Sequence, residues 1–208
     1  MLLNELALKA QDLPKNASAK RVEVLKALAT WIASQDSVTS AELIFICTHN
    51  SRRSHMGQIW AQAAAWYFGL DHVTTYSGGT EATAFNESAV RALRKLGITI
   101  EGVATESNPN YQVRIEADRA PFTAFSKKYD HQVNPQNGFA AVMVCNSADA
   151  NCPIVPGAAA RFAIPYVDPK ESDRTEYEAE TYEARATEIA VEMFYVMACA
   201  SELRAKKS

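Results

Sequence analysis

The chain has 208 residues, 48% of them hydrophobic, enough for the core of one enzyme-sized domain with a small appendage. Its 21 basic and 24 acidic side chains leave a formal charge of -3, with no basic block and no aromatic-basic repeat, so nucleic acid is not an expected partner. No apolar run approaches the roughly 18 residues of a membrane span, and four cysteines are too few for a secreted disulfide scaffold, so a cytoplasmic protein is expected whose thiols are catalytic or simply buried.

The opening residues are apolar at helical spacing, but Glu5 comes early and no small-residue cleavage site follows, so they read as a soluble helix. The stretch from Asp12 to Asn16, with Pro14 inside it, separates this helix from a second one in which Val22, Leu25, Leu28, Ala29 and Ile32 recur at helix spacing. Residues 1–40 therefore form a helical extension, and the main domain, 41–208, begins as Val38-Thr39-Ser40 leads into a β-rich run, Leu43 to Ile46. A helix from about Ser54 to Phe68, a strand from His72 to Ser77 and a helix from Glu87 to Leu96, closed by Gly97, follow in order. Ala140 to Val144 reads as a third buried strand, Arg161 to Ile164 as a weaker fourth, and Tyr177 to Leu203 as a long terminal helix. This alternation predicts an α/β fold: a doubly wound, four-stranded parallel sheet with helices on both faces. Residues 105–138 break the rhythm with Pro109, Pro121, Pro135 and an extended-looking stretch from Tyr111 to Ile115, and read as an inserted hairpin or lid.

The chemistry concentrates in Cys47-Thr48-His49-Asn50-Ser51-Arg52-Arg53-Ser54, which follows a buried strand and opens a helix. That position puts a thiol at the carboxyl end of a parallel strand, facing a helix N-terminus whose dipole and free N–H groups favour anions. Five residues between Cys47 and Arg53 let the backbone curl into a nest around an oxyanion. Arg53 brings a planar fork for two of its oxygens. Ser54 is placed to stabilise a Cys47 thiolate, and the same donors favour the thiolate at neutral pH. Thr48, His49, Asn50, Ser51 and Arg52 form the oxyanion-binding loop, with His49 and Arg52 read as rim side chains.

These residues resemble the low-molecular-weight protein tyrosine phosphatases and their relatives, the thioredoxin-coupled arsenate reductases. The resemblance runs from about Ala41 to the terminal helix and includes the Cys47–Ser54 loop, the turn from Tyr76 to Ala82 and the dipeptide Asp168-Pro169. Read alone, Asp168 is a carboxylate in a turn that Pro169 stiffens; the resemblance implies that it is the general acid to the leaving group.

A second cluster, Cys145 to Pro153, separates the two chemistries. Cys145 ends a strand beside the one that ends at Cys47, and Cys152 follows after six residues. This arrangement looks like the redox segment of the arsenate reductases: Cys145 would resolve a cysteine-arsenic adduct on Cys47, Cys152 would take over the disulfide, and an external dithiol such as thioredoxin would restore the enzyme. No bound cofactor and no metal are expected, since two cysteines at this spacing lack a second ligand pair for zinc. Gln58 departs from these reductases, which often carry an acidic residue there near a structural cation site. Cys199 reads as a small core residue. Phe85 is the one aromatic wall the turn from Gly78 to Asn86 offers a phosphotyrosine ring, which favours a small inorganic oxyanion. The expected function is reduction of arsenate to arsenite. Hydrolysis of phosphomonoesters through a phosphocysteine is the alternative, and a non-catalytic oxyanion or redox sensor the third reading.

Overall fold

Two apolar patterns build the structure, continuous runs that become buried strands and 3.6-residue repeats that become helices. The computed structural model describes residues 3–35, 40–102, 107–151 and 154–207. In chain order these form α1 (Leu3–Gln11), α2 (Leu13–Asn16), α3 (Ala19–Ser34), β1 (Ala41–Cys47), α4 (Arg53–Tyr67), β2 (Val73–Gly79), α5 (Glu87–Lys95), β3 (Thr99–Glu101), β4 (Tyr111–Arg114), β5 (Phe122–Ala124), β6 (Phe139–Met143), α6 (Asn146–Asn151), β7 (Ala158–Ala163) and α7 (Glu178–Ala205). Among the described residues no helix is long and apolar enough to cross a membrane.

The predicted α/β sheet is present: four parallel strands in the order β2-β1-β6-β7. β6 is buried at every position and β1 at all but Glu42, so both faces of the sheet are covered, as continuous apolar strands require. In register, Cys47 lies opposite Gly79 on one side, while Ile46 lies opposite Met143 on the other. The segments that follow β1 and β6 therefore emerge at the same sheet edge, roughly one strand spacing of 4.8 Å apart.

Two segments differ from the sequence reading. The break after α1 is itself a single helical turn, with Pro14 in the first turn, where a missing N–H removes no helical bond. The inserted segment is a three-stranded antiparallel sheet, β3-β4-β5, not a hairpin alone. Its first strand, Thr99–Glu101, precedes residue 105 and is too short for an alternating pattern to reveal. Residues 36–39 and 103–106, which include Val38, Thr39 and the start of the predicted insertion, lie outside the described residues.

The extension packs α1 and α3 against α7. Leu6, Leu25, Leu28 and Ile32 join the same apolar core as the sheet. Arg21 of α3 makes a two-bond fork to Glu192 of α7, both at 2.8 Å, and donates to Pro165 O at 3.1 Å. Tyr166 completes the cluster by donating to Glu192 at 2.6 Å. Burial, then the Glu192 charge, holds the Tyr166 phenol well above its ordinary pKa, so it stays a donor. Replacing Arg21 by Met would leave a buried carboxylate without its counter-charge, at a cost of about 3 kcal/mol. Chemical denaturation of Arg21→Met should show that loss.

Candidate active site

The loop between β1 and α4 is held by its carbonyl groups. The oxygens of Cys47, Thr48 and Ser51 accept from the backbone N–H groups of Thr80, Glu81 and Asn86 at 3.1, 2.8 and 2.9 Å. His49 O accepts from the hydroxyls of Ser126 and Thr83 at 3.1 and 3.2 Å. In a trans peptide the N–H of the next residue points opposite to the carbonyl. Four carbonyls turned outward therefore turn the N–H groups of Thr48, His49, Asn50 and Arg52 inward, the concave donor set that an anion requires. Glycine is needed alongside: a Cβ on Gly79 would lie 2.6 Å from Asn50 N and 2.7 Å from Thr48 O, and one on Gly78 would lie 2.4 Å from the Tyr129 backbone.

Cys47 is 3% exposed, with its sulfur 3.1 Å from Ser54 Oγ. Asn50 Nδ2 donates to that same Ser54 Oγ at 2.8 Å, which frees the serine proton for the sulfur. Asn50 adopts φ of 45°, a left-handed conformation that asparagine tolerates, and its Oδ1 accepts from Lys127 N at 2.8 Å. Asn50 is therefore more than a lining residue: it ties the loop, the nucleophile's serine and the inserted segment together.

Arg53 starts α4 and turns its fork to the loop after β7, donating to Asp168 Oδ2 at 2.5 Å and to Tyr166 O at 2.9 Å. Its Nε is buried without a partner among the described residues. Asp168 has the extended backbone expected before proline, φ −72° and ψ 123°, and its Oδ1 caps the 3-10 turn Pro169–Ser172. The Cys47–Ser54 contact and the Arg53–Asp168 ion pair are thus joined at the start of α4, where Arg53 and Ser54 are consecutive.

Arg52, read as a rim side chain, is instead anchored. It donates to Tyr182 at 2.6 Å and to Asp173 at 2.9 Å, while Tyr182 donates to Asp173 at 2.6 Å. Burial, then the bond to Asp173, raises the Tyr182 pKa and keeps it a donor. Neither Asp173 nor Tyr182 carried a sequence signal, because both lie far along the chain from the loop. His49 does lie at the rim, half exposed, 3.7 Å from Glu81. Phe85 is no aromatic wall: it is 1% exposed and stacks on buried His55 at 3.9 Å. Burial, then the Lys127 charge, pushes the His55 pKa well below its ordinary value.

Cys145 is 1% exposed, two residues past the end of β6, where the strand register brings it beside Thr48. Its sulfur lies 3.5 Å from Thr48 Oγ1 and accepts from Ala148 N at 3.3 Å. The polar segment after it is the short helix α6, braced by Arg161 on the Asp149 main chain and carboxylate. Cys152 and Pro153 lie outside the described residues. Cys199 is half-buried at the edge of the core, not inside it.

The model of a family described as low molecular weight phosphotyrosine protein phosphatase matches residues 42–114. Arsenate reductase 2 of Staphylococcus haemolyticus is 32% identical over 114 residues, 55% of this chain and 67% of that protein. An arsenate reductase of Staphylococcus aureus is 26% identical over 157 residues, 76% of this chain and 98% of that protein. Among solved structures, a low molecular weight phosphotyrosine phosphatase from Vibrio cholerae O395 superposes with a TM-score of 0.48 at 17% identity, covering 76% of this chain and 94% of that one.

Proposed function

Because the chain belongs to the low-molecular-weight phosphatase and arsenate reductase family, we propose that it is an enzyme that reduces arsenate to arsenite through an adduct on Cys47 and a disulfide relay. The Cys47 thiolate attacks arsenate, and a hydroxyl of the oxyanion leaves as water with a proton from Asp168. The inward N–H groups and Arg53 bind the remaining oxygens and stabilise the charge that develops on them. Cys145 then attacks the Cys47 sulfur. A sulfur-sulfur bond forms, the electron pair of the sulfur-arsenic bond passes to arsenic, and arsenate has become arsenite while two thiols have become one disulfide. Cys152 attacks Cys145 and carries the disulfide outward, where a dithiol protein of the thioredoxin type reduces it.

One observation supports the reductase reading above all: a second thiol, Cys145, sits at the sheet edge of the nucleophile, in contact with the residue that follows it. Hydrolysis needs no such group. The phosphatase reading draws on the description of the matched family and on the Arg53–Asp168 pair, which serves a phosphocysteine equally well.

The test compares thioredoxin-coupled arsenate turnover with aryl phosphate hydrolysis in Cys145→Ser and Cys152→Ser. Both variants should fall to background in the coupled assay and still hydrolyse aryl phosphate. Normal arsenate turnover in both would sink the relay and leave the phosphatase.

A further inference from the structure

The short turn Pro169–Ser172 is bounded by two aspartates, and consecutive arginines at the start of α4 reach one each. Asp168 caps the first end and pairs with Arg53 through Oδ2. Asp173 closes the other: its N–H donates to Lys170 O at 3.0 Å, and its Oδ2 accepts from Arg52 Nη2 at 2.9 Å. Tyr182 of α7 completes this second tie. Its hydroxyl accepts from Arg52 Nε at 2.6 Å and donates to Asp173 Oδ1 at 2.6 Å, so three bonds join three side chains in a triangle. The Tyr182 ring is fully buried, which fixes that hydroxyl against a long helix.

The backbone next to Asp173 is strained. Arg174 adopts φ of 65°, a left-handed conformation that a long side chain rarely takes, and its N–H is held by Glu178 Oε2 at 2.7 Å. Such strain persists only where the surrounding bonds over-determine it.

The tie at Asp168 cannot hold the turn throughout the reaction. When Asp168 carries the proton that it delivers, it is neutral and forms no ion pair, and the Arg53 fork is drawn to the oxyanion. The tie at Asp173 takes part in neither event. We propose that Arg52, Asp173 and Tyr182 are positioning residues for the proton transfer: they fasten the turn that carries Asp168 to the loop that binds the oxyanion, and keep the acid within reach of the leaving group after its own ion pair has opened. That role rests on the proposed function, in which Asp168 is the acid.

Leaving groups provide the test. Phenol has a pKa of about 10, so phenoxide needs a proton as it departs, whereas dinitrophenoxide is a far weaker base and leaves without one. Tyr182→Phe and Asp173→Ala should each lower kcat/KM for phenyl phosphate about tenfold or more, a part of the roughly 10²- to 10⁴-fold that a well-placed acid supplies. Both should leave dinitrophenyl phosphate within about twofold. Asp168→Asn should show the same selective loss, and a larger one. Circular dichroism checks that each variant folds; if Tyr182→Phe does not, Asp173→Ala, at a partly exposed position, decides. Equal losses on both substrates in a folded variant would mean that the triangle only stabilises the structure. Unchanged phenyl phosphate rates would mean that the turn needs no second tie. Either result overturns the proposal and leaves Asp168 as the acid. Equal losses in Asp168→Asn, or a wild type that hydrolyses neither ester, would remove the acid itself and the positioning role with it.

Discussion

Cys47→Ser is expected to abolish arsenate turnover and aryl phosphate hydrolysis together, each by about 10⁵-fold or more, the scale on which a covalent mechanism fails without its nucleophile. A hydroxyl in the same place is far less acidic than a thiol, and nothing described beside it acts as a base. Ser54 offers a proton instead of removing one, since its oxygen already accepts from Asn50. The loop carbonyls are held by Thr80, Glu81 and Asn86, so the inward donor set survives the substitution. Phosphate binding should therefore persist while both activities vanish, which calorimetry and initial rates would establish. Equal loss of binding would mean that the fold of the loop had failed.

Arg53→Lys comes next in size. The guanidinium reaches Asp168 and the Tyr166 carbonyl with separate nitrogens and still keeps Nε. A lysine can serve one of these partners at a time and presents no planar fork to an oxyanion. A drop of about 10²- to 10³-fold in kcat/KM is expected for both substrates, the range for one lost donor to a developing charge. Steady-state kinetics on arsenate and on aryl phosphates would measure it. A variant with unchanged kinetics would remove Arg53 from the site.

Much of this arrangement is legible in the sequence because it is local. A β-rich run ending in Cys47, five residues, an arginine and a helix form one continuous stretch, and the strand-to-helix geometry follows from the order of elements. The four parallel strands were readable for the same reason, as each is an apolar run flanked by polar turns. What escaped is long-range. Arg52 looks free in the sequence, and its partners Asp173 and Tyr182 lie more than a hundred residues away. Phe85 appears exposed in a polar turn, but the ring of His55, buried by its position on α4, draws it into the core. Thr99–Glu101 became a strand because Tyr111–Arg114 was there to pair with it, a fact about tertiary neighbours that three residues cannot announce.

The bonds from Arg52 to Tyr182 and Asp173 change what kind of object the catalytic loop is. Tyr182 belongs to the same long helix that carries Glu192, the anchor of Arg21 in the first third of the chain. Loop, terminal helix and N-terminal helices are thereby cross-tied and should open to solvent together, as one cooperative unit. Hydrogen exchange would show it as a common opening free energy for α3, α7 and the first turn of α4, with Arg52→Ala lowering that of the loop alone.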